Sequence, residues 1–262
     1  MESALAHSEG EPSARRAKVL LAGAMFAYRL GELARLKRYA DESLGIARTL
    51  GETRSTTWPL IFLGIWASEV GNFDEATNLY QEAIAMAREA GDRKLVGIAI
   101  NNLGVVAMQQ GDFVRAAPLF EEALAISRVL GTLDEIPLET LNLASCLHHT
   151  GRSREAAEAA KEGLAMAREV GNLTSLGYGF FLLGEFACRQ GRADVHAARL
   201  LGVAETLRNR VGEGLKDDAE LLETMVKGLV SALGDEGFAK AFAQGKALSL
   251  DEAVEYALSL DS

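Results

Sequence analysis

The sequence predicts an all-α fold, a right-handed superhelical solenoid of about five 40-residue helix-turn-helix repeats with a three-helix C-terminal cap. Glycine recurs at intervals of 40 residues, and apolar residues recur at helical spacing on both sides of each glycine. Towards the C-terminus this register is lost and three further helical patterns follow. The spaced glycines are Gly31, Gly71, Gly111, Gly151 and Gly191.

Each repeat has the pattern of two amphipathic helices joined by a tight turn. In the second repeat, Leu60, Leu63 and Ala67 precede Gly71, and an Ala-rich amphipathic stretch follows it. The glycine is expected to end the first helix in a left-handed conformation. Small residues at fixed sites should let the helix axes approach closely. These residues include Gly64, Gly104, Ala144 and Gly184.

The pattern divides the chain into three parts. We expect a flexible tail over residues 1–13, the repeat array over 14–210 and a helical cap over 211–262. In the cap, one helix should end at Gly234, and Ser249 with Glu252 should form the capping box that begins the last helix. A cap is needed because an open solenoid end would expose apolar surface.

The composition is that of a soluble protein. The chain has 262 residues, 48% of them hydrophobic, and a net charge of −10. No apolar run reaches the roughly 18 residues of a membrane span, and the first residues lack the apolar core of a signal peptide, so we expect a cytoplasmic location. The acidic balance argues against direct nucleic-acid binding. The charge is uneven, because residues 211–262 hold 4 basic and 11 acidic residues, giving −7.

We expect neither an enzyme nor a metal or cofactor site. Cys146, His148 and His149 are the one cluster that merits consideration as a metal site, but on a helix at most two of them converge, and structural zinc needs four ligands. No candidate nucleophile lies near a base in helical phase. Two cysteines are too few for a disulfide framework, so Cys146 and Cys188 are expected to be thiols.

The repeats resemble the tetratricopeptide repeat (TPR) family, in particular its long-repeat, MalT-like members. The period of 40 exceeds the usual 34, and arginine replaces the usual proline at Arg88, Arg128 and Arg168. The resemblance implies the fold and a role in binding, without naming a ligand. The third repeat fits best, with Leu103, Gly104, Ala107, Gly111, Ala116, Phe120 and Ala123 in the family's positions.

The C-terminal part is similar to the end of bacterial LuxR/AfsR-type signal-transduction ATPase regulators. The resemblance implies a sensor or scaffold arm of a transcription regulator. The sequence has no GxxxxGK[ST] phosphate loop, so the chain is either a piece of such a regulator or an arm that acts through an ATPase or DNA-binding partner. The matching residues are Ala197, Ala198, Arg199, Leu200, Leu201 and Gly202, then Leu233, Gly234, Phe238, Ala247, Leu248, Ser249, Leu250, Glu252 and Ala253.

The predicted site is a concave groove lined by the first helices. TPR stacks use this surface to bind partners, so we expect a helical or extended apolar peptide segment of a protein partner there. Asn102 and Asn142 share one helical phase, and their amides could bracket a peptide backbone. The alternative is a small-molecule receptor that binds a signalling metabolite. The predicted groove residues are Trp58, Ile61, Phe62, Ile65, Asn101, Asn102, Gln109, Asn142, Ser145, His149, Tyr178, Phe181, Glu185 and Arg189.

Overall fold

A computed structural model describes residues 13–191, 194–211 and 219–260, and every regular element in that part of the chain is a helix. None of these helices is long and apolar enough to cross a membrane. In chain order the helices are α1 (Ala14–Arg29), α2 (Leu33–Thr49), α3 (Thr53–Glu69), α4 (Phe73–Glu89), α5 (Arg93–Gln109), α6 (Phe113–Leu130), α7 (Ile136–His149), α8 (Ser153–Val170), α9 (Leu173–Arg189), α10 (Val195–Val211), α11 (Ala219–Ala247) and α12 (Leu250–Ser259).

The helices form two compact units. Unit 1 is residues 1–130, and unit 2 is residues 131–262. In unit 1, α1 packs with α2, α3 with α4 and α5 with α6, while unit 2 pairs α7 with α8 and α9 with α10. Each unit has its own apolar core. The predicted all-α repeat of helix pairs is therefore confirmed.

The division of the chain into tail, array and cap stays a prediction. The boundary between the two units falls inside the segment 14–210 that was assigned to the array. Of the predicted tail, residues 1–12 lie outside the described residues. Ser13 is the N-cap of α1, where its Oγ accepts a hydrogen bond from the Arg16 backbone N–H at 3.3 Å.

The glycine-marked turns have the predicted geometry, and they recur every 20 residues. Gly71 has a φ of 77°, in the left-handed region that glycine adopts at little cost. Its N–H donates to the Ser68 carbonyl, and the Asn72 N–H donates to the Ala67 carbonyl at 2.8 Å, which satisfies the end of α3. Positive φ is shared by Gly31, Gly51, Gly71, Gly91, Gly111, Gly131, Gly151, Gly171 and Gly191.

The small residues predicted inside the helices are close-contact sites. A Cβ added to Gly64 would lie 2.6 Å from the Tyr80 ring, and one added to Gly104 would lie 2.8 Å from the Phe120 ring. Tyr80 and Phe120 are both almost fully buried. An aromatic ring of the second helix therefore packs directly on a glycine of the first helix in both pairs.

The C-terminal helices follow the predicted boundaries. α11 is interrupted at Gly234, whose φ of 72° and ψ of 162° separate two helical segments. The side chain of Ser249 accepts from the Glu252 N–H, and the Glu252 carboxylate accepts from the Ser249 N–H, so the predicted capping box begins α12. α12 then packs on α8 and α10 through Ala253, Val254 and Ala257, all of them buried.

Candidate functional site

The first helices of neighbouring pairs lie side by side within each unit. α3 contacts α5, where Ser68 Oγ donates to Gln109 Oε1 at 2.5 Å, and α7 contacts α9, where His149 Nε2 lies 3.6 Å from Glu185 Oε1. We call the surface that these helices expose the first-helix face and treat it separately in the two units. In unit 1 it comprises Trp58, Ile65, Ser68, Ile98, Asn101, Val105, Met108 and Gln109, and in unit 2 it comprises Leu138, His149, Tyr178, Cys188 and Arg189.

In unit 1 the structure places four predicted groove residues on the first-helix face. Trp58, Ile65, Asn101 and Gln109 are partly exposed on α3 and α5. They combine an indole ring, an aliphatic side chain and two amides, which suits a peptide with apolar side chains and backbone polar groups. The other members of the predicted set are Ile61 and Phe62, which are buried, and Asn102, which is partly exposed.

The buried Phe62 packs against the partly exposed Trp58 of this face. Phe62 stacks on Trp58 with ring centroids 5.8 Å apart, so the core holds the indole in place. Asn102 Nδ2 donates to the Ile98 carbonyl at 2.9 Å, one turn earlier in the same helix. The Asn102 amide is therefore engaged with its own helix in this structure.

In unit 2 most of the predicted residues are buried. Asn142 is 3% exposed, Ser145 5%, Phe181 3% and Glu185 2%. Of the remaining three, His149 and Tyr178 are partly exposed and Arg189 is exposed. The predicted role of Asn142 as a ligand-facing amide remains untested, and its side chain contributes little surface.

An ion pair of α9 lies beside His149 of α7 at the edge of this face. Arg189 Nε donates to Glu185 Oε1 at 2.8 Å, which compensates the charge of a buried carboxylate. His149 Nδ1 lies 2.9 Å from the Ser145 carbonyl oxygen, which can only accept, so Nδ1 carries the hydrogen and Nε2 points towards Glu185. His149 and the Glu185–Arg189 pair therefore meet where α7 contacts α9.

His148 lies beneath these residues. Its ring stacks on Phe186 with centroids 4.2 Å apart, and its Nδ1 is buried without a hydrogen-bond partner among the described residues. Burial, followed by the nearby charges of His149 and Arg189, lowers the pKa of His148 to about 4. The imidazole is therefore neutral at physiological pH and acts as part of the core.

Two residues of the face on α5, Ile98 and Met108, are not in the predicted groove set. They lie three residues before and seven residues after Asn101, so they share its side of the helix, and both are partly exposed. Helical spacing from Asn101 would have found them.

The two cysteines lie in environments that disfavour their reactive form. Burial raises the pKa of the Cys146 thiol to about 12 and, with Asp194 and Glu185, that of Cys188 to about 11, which disfavours the reactive thiolates. Both cysteines are free thiols. No group of three His, Cys, Asp or Glu side chains that could hold a metal ion occurs in this part of the chain.

Two cavities lie against the second helices of the pairs. One, of about 350 Å³, lies between α4 and α6 over Ile84, Ile100 and Leu119. The other, of about 60 Å³, lies in unit 2 beside α12 and is lined by Lys161, His196 and apolar residues. Neither contains a residue of the predicted groove.

The helix pairs, glycine turns and first-helix face together define a helical repeat protein. The chain belongs to the tetratricopeptide repeat family, whose model matches residues 15–89 and 95–169. These two segments correspond to α1–α4 and α5–α8. The inferred resemblance to the tetratricopeptide repeat family is therefore confirmed, while the MalT-like and regulator-arm resemblances stay predictions. No curated protein sequence matches the chain.

Solved structures with the same fold include regulators and a sensor. A Rap protein complexed with the competence and sporulation factor has a TM-score of 0.74 at 18% identity, covering 98% of this chain and 69% of the Rap chain. The Rap conjugation gene regulator of plasmid pLS20, in complex with the Phr* peptide, has a TM-score of 0.70 at 17% identity, covering 100% and 70%.

A third similar structure is a signal-transduction ATPase with numerous domains that carries a tetratricopeptide repeat sensor, from Pyrococcus horikoshii. It has a TM-score of 0.56 at 16% identity, and the match covers 89% of this chain and 40% of the ATPase. At these identities the likenesses establish the fold.

Proposed function

We propose that this protein is a non-catalytic interaction module that binds a helical or extended apolar peptide segment on its first-helix face. The observation that carries the proposal is the set of Trp58, Ile65, Asn101 and Gln109, partly exposed side by side on two contacting helices of unit 1. Exposed aromatic and apolar side chains together with amides suit a peptide, since amides both donate and accept hydrogen bonds.

The similar structures support a peptide as the ligand class. Two of them are Rap proteins in complex with a factor or peptide, and one is an ATPase with a TPR sensor. We further propose that the chain is the sensor arm of an ATPase-type transcription regulator. A phosphate-loop motif in the reading frame that precedes Met1, or in a co-purifying partner, would support this second step.

Selection from a random 12-residue phage library, followed by anisotropy titration of the recovered peptides, tests peptide binding. Trp58→Ala and Asn101→Ala should each weaken the selected peptides about tenfold, the usual effect of truncating a central contact. Gln81→Ala, an exposed change on α4, is the matched control and should leave affinity unchanged. Binding that ignores both first-helix substitutions would refute the assignment of the face.

One observation favours the alternative of a small-molecule effector. The 350 Å³ cavity between α4 and α6 lies within the usual size range of ligand sites and has an apolar floor of Ile84, Ile100 and Leu103. An effector bound there should raise the melting temperature of the native chain in a metabolite extract, but not that of Leu119→Asp. Equal shifts in the two proteins would place the ligand elsewhere.

A further inference from the structure

Within the two units, three first helices each pack against two second helices, their own partner and that of the preceding pair: α3, α5 and α9. In unit 2, α9 contacts the preceding α8 and buries one stripe of residues: Ser175 is 1% exposed, Gly179 is buried, Leu182 is 1% exposed and Phe186, which stacks on His148 of α7, is 3% exposed. A Cβ added to Gly179 would lie 3.0 Å from Leu164 Cδ1 of α8. This stripe is the interface between consecutive pairs.

The same stripe recurs on α5 in unit 1, 80 residues earlier in the chain. Leu95 is 6% exposed, while Ala99 and Val106 are fully buried. The preceding helix α4 contacts α5 on this side, as α8 contacts α9. The two pairs therefore bury three equivalent positions, and the fourth position on α5, Asn102, is partly exposed.

On α1 the equivalent stripe faces solvent. A further shift of 80 residues leads to Arg15, Val19, Ala22 and Phe26, of which Val19 is partly exposed and the other three are exposed. Phe26 is 50% exposed, whereas its equivalents Val106, Cys146 and Phe186 are 0 to 3% exposed and its equivalent on α3, Trp66, is partly exposed.

The opposite side of α1 is packed as in the other pairs. Leu20 and Ala24 are buried, and Gly23 approaches the Tyr39 ring of α2. We call the exposed side, Val19, Ala22, Met25 and Phe26, the α1 stripe. Met25 extends it, with an exposed fraction of 40%. Such an apolar stripe, which no described residue covers, calls for a covering element.

The charge around the α1 stripe selects its partner. α1 contains four basic residues and no acidic ones, and Arg16 is paired with Glu42 of α2. Arg15, Lys18 and Arg29 are exposed beside the stripe. A second copy of α1 would bring like charges together, whereas an acidic helix would meet complementary charge.

The helix that covers the equivalent stripe of α5 has this chemistry. α4 is amphipathic and carries Asp74, Glu75, Glu82 and Glu89 against the single base Arg88, for a net charge of −3. We propose that the α1 stripe is a docking site for an acidic amphipathic helix of a partner protein, which packs on α1 as α4 packs on α5. This site is separate from the first-helix face and does not depend on the proposed function.

A peptide with the sequence of α4 tests the proposal directly. The probe is a fluorescent peptide of residues 72–90, held helical by a hydrocarbon staple that replaces positions 74 and 78, both exposed in α4. Titration with the full chain should give saturable anisotropy. Phe26→Ser should weaken binding at least about tenfold, because it removes the largest apolar side chain of the stripe. A probe with lysine at positions 75, 82 and 89 should bind at least about tenfold more weakly.

Matched variants separate this site from other effects. Val114→Ser removes another exposed apolar side chain, 76% exposed on α6, and should leave the affinity unchanged, as should Trp58→Ala on the first-helix face. Phe26→Ser leaves the α1–α2 contact intact, and an unchanged circular dichroism melt would confirm folding. Absence of saturable binding, or binding insensitive to Phe26→Ser and to charge reversal, would overturn the proposal. Phe26-dependent dimerisation in sedimentation would overturn it too, because a second copy would then be the partner.

Discussion

Arg168 of α8 places its Nη2 atom 2.7 Å from Asp251 Oδ1 of α12, so an ion pair joins a second helix of unit 2 to the last helix of the chain. In unit 1 the arginines at the equivalent position pair with the second helix of the next pair: Arg48 with Glu82 at 2.6 Å and Arg88 with Glu122 at 3.4 Å. Asp251 of α12 thus pairs with Arg168 as a glutamate of the next second helix pairs with Arg48 and with Arg88. α12 docks on α8 in the manner of an additional second helix.

We expect apolar packing, and not this ion pair, to hold α12 in place. Both side chains are substantially exposed, 38% for Arg168 and 73% for Asp251, so Asp251→Asn should change the free energy of unfolding by less than about 1 kcal/mol. Ala257→Glu would bury a charge at a fully buried position and should release α12. Hydrogen exchange of the backbone amides of residues 250–259 distinguishes these two variants. Protection lost in the asparagine variant would show that the ion pair is essential.

α10 and α11 are closest at Gly245, and we expect that no larger residue can replace this glycine without destabilising the protein. A Cβ added to Gly245 would lie 2.0 Å from the Arg199 carbonyl oxygen, which belongs to the backbone and cannot rotate away. Gly245→Ala should therefore destabilise the protein by about 3 kcal/mol in urea denaturation.

Gly228→Ala is the matched control on the same helix. Nothing lies within 4 Å of a Cβ at Gly228, so alanine should stabilise the helix by about 0.5 to 1 kcal/mol through its lower conformational entropy when unfolded. Similar effects of the two substitutions would show that the α10–α11 contact can relax.

Acidification should destabilise the fold through His148. The pKa of His148 is about 4 in the folded protein, compared with an ordinary value of 6.5. At a pH between these two values, His148 therefore binds a proton in the unfolded chain but not in the folded chain. The free energy of unfolding should therefore fall as the pH decreases from 6.5 to 4, with the full contribution of the neutral ring present above 6.5.

His148→Met tests this pH dependence. Methionine is the residue that α5 carries at the equivalent position, Met108. Because it does not titrate, the variant should lose less stability than the wild type between pH 7 and pH 5, measured by urea denaturation. Equal slopes would mean that His148 takes up its proton in both states.

Loss of Arg189 alone should destabilise the fold more than loss of Arg189 and Glu185 together. The Glu185 carboxylate is 2% exposed, so Arg189→Met leaves a buried charge with reduced compensation and should cost about 1 to 2 kcal/mol. Arg189→Met combined with Glu185→Leu should recover most of this loss, because the charge is removed as well. A double variant no more stable than Arg189→Met would contradict this account. Equilibrium unfolding of the two variants and the wild type provides the measurement.

The helix pairs were predictable because one local rule repeats along the chain. Gly71 ends α3, Gly234 divides α11, and Ser249 caps α12, all at positions where the sequence pattern placed a boundary. Each of these features depends on a few adjacent residues and on backbone geometry that the residue type itself restricts.

Accessibility on the first-helix face was less predictable because it depends on neighbouring helices. Asn102 and Asn142 share one helical phase, yet only Asn142 is buried, at 3% exposure. The exposed stripe of α1 was missed for a related reason. Phe26 has the pattern of a core residue, and only its surroundings show that no described residue covers it. Tertiary contacts decide both outcomes.

The regular spacing of the positive-φ glycines has a genetic consequence. Excision of residues 72–111 would join Gly71 to Asp112, so that the altered junction again consists of a left-handed glycine and a capping acid or amide. α3 would then meet α6 with Phe120 over Gly64, where Tyr80 now lies. Unequal recombination can therefore lengthen or shorten such a chain by one whole period without creating a new kind of junction.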